Sequence, residues 1–120
     1  MSGKERQSVG DMRAKISNEI VQLQTEYYGR GPVRARTYID DDLVVVVLEE
    51  TFTQAEKTLF ERGEVDAIQD IRRRFQRHMA DSFTKVIEDA TGRRVRAFLS
   101  DTDVDADVSV ETFLLEGEHA

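Results

Sequence analysis

The chain has no cysteine, no tryptophan and a single proline in 120 residues. Without cysteine it cannot form a disulfide scaffold, a thiol nucleophile or a thiolate metal site. Long apolar runs are missing as well, because the longest aliphatic stretch has six residues, whereas a membrane-spanning helix needs about 20. No signal peptide is recognisable, so we expect a cytoplasmic protein without a transmembrane segment.

The net charge narrows the classes of partner that the protein can have. It is -7 at neutral pH, with a sequence pI of about 4.8, so long-range electrostatics oppose binding to nucleic acid and to anionic lipid. Hydrophobic residues make up 39% and charged residues 34% of the chain, as in a globular but heavily charged protein. We expect a flexible N-terminus at 1–10, one domain at 11–116 and a tail at 117–120.

The longest aliphatic stretch, Leu43 to Leu48, is the central feature of the sequence. It contains four valines in succession, Val44, Val45, Val46 and Val47. A strand with one face in water alternates apolar and polar residues, and this stretch does not alternate. The pattern is typical of an interior strand with both faces covered, and it predicts a strand that belongs to the core or to an interface.

Periodicity and turn signals divide the rest of the chain into helices and strands. Apolar residues at the helical period predict a helix at 11–28 and a long one at 64–91. A short helix at 53–62 begins with the capping-box pattern of Thr53 and Glu56. Alternating strands are expected at 33–39, 93–100 and 108–115. The order α-ββ-α-α-ββ predicts an α+β fold, with a four-stranded, mostly antiparallel sheet made of two hairpins and one long helix packed on it.

Five stretches carry a family resemblance across about nine-tenths of the chain. They are Tyr28 to Pro32, Asp42 to Glu49 with Thr53 and Glu56, Ile87 to Arg93, Phe98 to Asp101, and Val110 to Glu116. With these stretches, the chain from about Val9 to Glu116 resembles the MpsC-like family, a domain of unknown function named after a component of a sodium-translocating, membrane-potential-generating system. The resemblance implies a small soluble domain associated with an ion or bicarbonate transport system, and it carries over no catalytic residue.

Two pairs of arginines form the candidate ligand-binding site. Arg34 and Arg36 share one face of the first strand, and Arg94 and Arg96 share one face of the third. If these strands are neighbours, four guanidinium groups converge on a face that suits phosphate or carboxylate ligands. Alternatively, the arginines pair with Glu111, Glu49 and Asp40, or across a subunit interface.

Two other charged segments have a structural interpretation. One comprises Arg72, Arg73, Arg74 and Arg77, which spread around the long helix as a solvated surface does. The other is the loop from Asp101 to Asp107, which lacks the glycine and the glutamate that an EF-hand needs at its sixth and twelfth positions. We expect a solvated hairpin turn there, with weak calcium or magnesium binding as the alternative. No metal site and no cofactor are predicted.

Two hypotheses about function follow. The first is a non-enzymatic interaction or accessory domain that forms a homodimer and has a membrane transport component as a further partner. Its basis is the valine strand, because the second and third helices can cover one face of the sheet, while the other face needs the first helix or a second copy. The second hypothesis is binding of a small anion, or of nucleic acid, through the arginine face. No catalytic constellation is recognisable, so an enzyme is not expected.

Overall fold

The computed structural model describes residues 8–117. Residues 1–7 of the expected flexible N-terminus and residues 118–120 of the expected tail at 117–120 lie outside this range. The elements are α1 (Val9–Tyr28), β1 (Arg34–Asp40), β2 (Leu43–Glu49), α2 (Gln54–Glu61), α3 (Val65–Thr91), β3 (Val95–Asp103) and β4 (Val108–Leu115). This order, with its four-stranded antiparallel sheet and one long helix, confirms the predicted α+β fold.

Local hydrogen bonds explain where the helices begin and end. The helix α1 begins at Val9, two residues before the predicted start, because the Ser8 hydroxyl accepts a hydrogen bond of 3.0 Å from the Asp11 amide. The predicted capping box is present at α2, where Thr53 and Glu56 each accept a hydrogen bond from the other's backbone amide. Gly29 ends α1 in the left-handed conformation, with φ of 82°, which favours glycine.

The four strands lie in the spatial order β1-β2-β4-β3, and every neighbouring pair is antiparallel. The valine strand β2 is therefore an interior strand, hydrogen-bonded to β1 on one side and to β4 on the other. The strands β1 and β3 form the two edges of the sheet. A bulge interrupts the pairing of β3 with β4 between Val95 and Ala97.

Helices α1 and α3 pack on the same face of the sheet, which we call the core face. Ile16 and Ile20 of α1 are fully buried together with Phe83 and Ile87 of α3. The strand residues of the same core are Val44, Val46, Leu48, Phe113 and Leu115. A smaller apolar cluster, centred on Phe52, Ile68 and Val104, joins α2 to the start of α3 and to the β3–β4 turn. The helices are therefore concentrated on one side of the sheet.

Candidate functional site: the outer face of the sheet

The valine strand has two different faces in the structure. Val44, Val46 and Leu48 point to the core face and are fully buried. Val45 and Val47 point to the opposite face, where they are half-buried by their neighbours within the sheet. We call this opposite face the outer face. The sequence predicted that both faces of this strand would be covered. Helices α1 and α3 cover the core face, whereas no helix within residues 8–117 covers the outer face.

The centre of the outer face is apolar. The inner strands contribute Leu43, Val45, Val47, Val108, Val110, Thr112 and Leu114, all of them half-buried. On the two edge strands, Leu99 of β3 and Tyr38 of β1 are 59% and 48% exposed. These side chains are contiguous across all four strands in the observed register. Contiguous apolar patches are frequent at the interaction surfaces of proteins.

The predicted arginine site is not assembled. Arg34 and Arg36 lie on β1, whereas Arg96 lies in the bulge of β3 and Arg94 immediately precedes β3. Convergence required β1 and β3 to be neighbours, but they are the two edges of the sheet, with β2 and β4 between them. All four arginines are exposed, and no anion-binding cluster results from them.

The arginines of β1 instead face an acid on the adjacent strand. Arg34 Nε and Arg36 Nη2 each lie 3.7 Å from Glu49 Oε2, on the outer face. The guanidinium of Arg36 also lies 5.9 Å from the centre of the Tyr38 ring. Because both arginine side chains are largely in solvent, each of these ion pairs contributes little to stability on its own.

Arg72 is a buried residue, contrary to the expected solvated surface. It is 1% exposed and donates to both carboxylate oxygens of Glu56, from Nε at 2.7 Å and from Nη2 at 2.6 Å. Its guanidinium also donates to the Thr51 carbonyl and stacks on the Tyr28 ring, 4.3 Å from the ring centre. The sequence contained a signal for this burial, since Arg72 lies between Ile68 and Phe75 on the apolar stripe of the helix.

Glu111, one of the acids expected to pair with the strand arginines, is instead a second acid buried in the interior. It points to the core face of β4, between Val46 of β2 and Ser100 of β3, and is 2% exposed. Its Oε1 atom and Ser100 Oγ have no hydrogen-bond partner among the described residues. Burial raises the pKa of Glu111 to about 7, although the nearby Ser100 hydroxyl and the Arg72 guanidinium lower it in part.

Burial also raises the pKa of Tyr28, to about 12, and the Arg72 guanidinium beside it lowers that pKa only in part. Tyr28, Arg72, Glu56 and Glu111 thus form an interior polar cluster between the helices and the sheet. The charged members of the cluster, Arg72 and Glu56, are bonded to each other and to the backbone rather than presented to a cleft. This arrangement suits a structural role.

The acidic loop is shorter than the sequence indicated. The strand β3 includes Asp101 and Asp103, so the turn comprises residues 104–107. Asp107 accepts hydrogen bonds from the Thr51 amide, the Thr51 hydroxyl and the Phe52 amide, at 2.9, 3.1 and 3.4 Å. Asp103 accepts one from the Ala106 amide at 3.0 Å. Within residues 8–117, the aspartates do not gather into a group of three or more acids suited to a metal ion.

Two surface depressions lie on the helical side and at the β3 edge. One groove, of about 340 Å³, runs between α1 and α3 and is lined by Leu23, Val86 and several charged side chains. Another, of about 440 Å³, lies between α3 and β3 beside Phe98 and Ser100. Both are open surface grooves. Neither is lined by Arg72, Glu56 or Glu111, so the interior polar cluster is separate from them.

Comparison with known proteins places the chain in a family. Residues 8–117 match the family described as "Na+-translocating membrane potential-generating system (MpsC)". The chain belongs to the MpsC family. One relative is the "Uncharacterized protein YbcI" of Bacillus subtilis (strain 168), which is 29% identical over 97 residues, covering 80% of this chain and 78% of the relative. No solved structure matches the chain.

The match spans every helix and strand of the fold. It therefore applies to the MpsC domain as a whole rather than to one local motif. None of the helices in residues 8–117 has an apolar stretch long enough to cross a bilayer.

Proposed function

We propose that this MpsC domain is a non-enzymatic accessory domain that works in the cytoplasm by binding protein, and that it forms a homodimer through the outer face of its sheet. The observation that carries the proposal is the position of the two half-buried valines. Val45 and Val47 lie at the centre of an apolar face, and the helices within residues 8–117 pack on the opposite side of the sheet. Burial of such a face against a matching sheet removes apolar area from water at about 25 cal/mol per Å².

The interior polar cluster supports the non-enzymatic part of the proposal. Arg72 and Glu56 are 1% and 2% exposed and neutralise each other, and Glu111 is 2% exposed. A catalytic acid, base or nucleophile has to reach the substrate within hydrogen-bond distance. Among the described residues, Tyr28 and Glu111 have pKa values strongly raised by burial. Both side chains belong to the interior polar cluster, where they contribute to the packing of the fold.

The family description supports the accessory part of the proposal. It names a sodium-translocating system that generates a membrane potential, and within residues 8–117 there is no helix that could contribute a membrane span. In the proposed role, the domain acts on ion or bicarbonate transport by binding another subunit. The chemistry of its sheet face, apolar in the centre and charged at both edges, suits a protein partner.

Multi-angle light scattering coupled to size-exclusion chromatography tests the dimer. We expect a mass of twice the 13.7 kDa chain at micromolar concentration. Val45→Asp should give a folded monomer, because an aspartate at the centre of the interface would be desolvated without a partner. Val9→Asp, at a valine that is 52% exposed at the start of α1, is the matched control and should remain dimeric. A monomeric wild-type protein would contradict self-association.

The link to transport needs a separate experiment. The tagged chain, purified from detergent-solubilised membranes of its native cell, should bring down an integral membrane component of an ion or bicarbonate transporter, identified by mass spectrometry. Recovery of the tagged chain without such a component would contradict the accessory role and leave the dimer unaffected.

A further inference from the structure

The antiparallel register arranges the outer face as four rows that run across the strands. Each row takes one residue from every strand, in the spatial order β1, β2, β4, β3. The first row is Arg34, Glu49, Val108 and Asp103, and the second is Arg36, Val47, Val110 and Asp101. The third row is Tyr38, Val45, Thr112 and Leu99, and the fourth is Asp40, Leu43, Leu114 and Ala97.

The first two rows carry opposite charges at their two ends. Arg34 and Arg36 lie at the β1 edge, and Asp103 and Asp101 lie at the same two levels on the β3 edge. All four side chains are exposed. The edge strands are roughly 14 Å apart, at ~4.8 Å per strand, so these opposite charges cannot pair within one copy.

Two sheets can stack face to face by a two-fold rotation in two simple ways. If the axis runs parallel to the strands, each row faces the same row of the second copy in reverse order. Arg34 then lies opposite Asp103 and Arg36 opposite Asp101. Glu49, which already lies beside Arg34 and Arg36 of its own copy, faces Val108. The remaining outer-face residues of β2 and β4, all apolar except Thr112, face one another. Because the interface is isologous, each of these two ion pairs occurs twice.

If the axis runs perpendicular to the strands, row one faces row four and row two faces row three. Arg34 then lies opposite Asp40, which gives one ion pair that occurs twice, and Arg36 lies opposite Tyr38. On β3, Asp101 lies opposite Leu99 and Asp103 opposite Ala97. The aspartates of β3 would lose water without gaining a cation, which is unfavourable. Charge complementarity therefore distinguishes the two arrangements and favours the axis parallel to the strands.

We infer that two copies of the chain stack through their outer faces about a two-fold axis roughly parallel to the strands, so that Arg34 and Arg36 of each copy pair with Asp103 and Asp101 of the other. This inference rests on the self-association proposed above and adds the orientation of the second copy. The apolar centres of the two outer faces are buried against each other, and this burial stabilises the dimer. The charged edges favour the parallel axis, because it forms two kinds of ion pair where the perpendicular axis forms one and leaves Asp101 and Asp103 unpaired.

A charge-reversal cycle tests the orientation. Arg36→Asp and Asp101→Arg should each weaken the dimer at least about tenfold, because like charges then face each other twice across the interface. The double variant Arg36→Asp/Asp101→Arg should restore the dissociation constant to within about threefold of the wild-type value. Arg73→Asp, at an exposed arginine of α3, is the matched control and should have no effect. If the two reversals add their losses instead of cancelling, the parallel axis is wrong.

Cross-linking gives an independent measurement, since the wild-type chain has no cysteine. A short bis-maleimide should join subunits of Arg36→Cys/Asp101→Cys, whereas Arg36→Cys/Tyr38→Cys should stay unlinked between subunits. The opposite result would support the perpendicular axis and overturn the inference while leaving the proposed dimer in place. A wild-type protein that scatters as a monomer would overturn both. A dimer that neither pair cross-links would show that another surface mediates self-association.

Discussion

The guanidinium of Arg72 and the carboxylate of Glu56 form a two-point ion pair in the interior of the protein, with N–O distances of 2.7 and 2.6 Å. The pair joins α3 to the first turn of α2, where Glu56 also accepts a hydrogen bond from the Thr53 amide. Removal of one member leaves the other as a buried, uncompensated charge. Such a change is far more destabilising than the net contribution of the pair.

We expect Arg72→Met to lower the free energy of unfolding by about 3–5 kcal/mol. The double variant Arg72→Met/Glu56→Gln should recover part of this loss, because glutamine keeps the capping-box acceptor without the charge. Arg74→Met provides the control, since Arg74 and Asp70 form an exposed ion pair on the same helix, and its loss should be below about 1 kcal/mol. Urea denaturation followed by circular dichroism measures all three. Equal losses for Arg72→Met and Arg74→Met would contradict the buried pair.

The buried carboxyl of Glu111 makes stability depend on pH. Its pKa is raised from the ordinary 4.5 to about 7 in the folded protein. As the pH rises, the unfolded chain therefore loses the proton of Glu111 at a lower pH than the folded protein does. The contribution of protonated Glu111 to the free energy of unfolding is complete below pH 4.5, and it is lost as the pH rises through 7. The loss reaches up to about 3 kcal/mol, at ~1.4 kcal/mol per pKa unit.

Glu111→Gln should remove this part of the pH dependence. We expect the variant to be more stable than the wild type at pH 8, with the difference between them shrinking and then reversing or vanishing towards pH 4.5. Glu26→Gln, at an exposed glutamate of α1, should follow the wild-type curve. Thermal or urea unfolding from pH 4 to 8 gives the comparison. A constant difference between Glu111→Gln and wild type across that range would show that Glu111 keeps its ordinary pKa.

Adjacent valines of β2 should respond oppositely to the same substitution. Val46 is fully buried against α1 and α3, whereas Val45 lies on the outer face. Val46→Asp should unfold the chain, because an unpaired carboxylate in the core costs several kcal/mol. Val45→Asp should keep the fold and lose only the dimer. Circular dichroism and light scattering on both variants would separate these outcomes, and an unfolded Val45→Asp would place that side chain in the core.

Asp107 combines an unusual backbone conformation with three accepted hydrogen bonds. Its φ is 53°, a left-handed value that asparagine and aspartate tolerate and alanine does not. Asp107→Asn should therefore lose less than about 1 kcal/mol, while Asp107→Ala should lose about 2–4 kcal/mol through strain and unsatisfied amides. Urea midpoints measure the difference. Similar midpoints for both variants would mean that the hydrogen bonds from Thr51 and Phe52 contribute little.

Local features of this fold could be predicted from sequence, because they depend on residues close together in the chain. Helical periodicity, the capping box at Thr53 and the acidic turn after Asp40 each involve neighbours, and they indicated both hairpins and the long helix. The strand order could not be predicted in the same way. The pairing of β2 with β4 joins residues far apart in sequence, such as Val46 and Glu111, and neither strand carries a local signal for it.

The candidate site depended on that missing strand order. The arginine face assumed that β1 and β3 are adjacent, whereas the insertion of β4 beside β2 separates them. The same insertion generates the charge pattern of the outer face, since it puts Arg36 and Asp101 at opposite ends of one row. The prediction of a solvated Arg72 was wrong for a different reason. Its charge indicated an exposed side chain, although its position on the helix is that of a core residue.

The placement of β4 in the middle of the sheet has a consequence for biosynthesis. The strand at Val108–Leu115 is synthesised after the other three strands of the sheet, yet it is hydrogen-bonded to both β2 and β3. Until it emerges, the nascent polypeptide holds the first hairpin and β3 as separate pieces, each with an open pairing edge. Such edges recruit other strands and promote aggregation. The sheet is therefore most prone to aggregation in the interval before β4 pairs with β2 and β3.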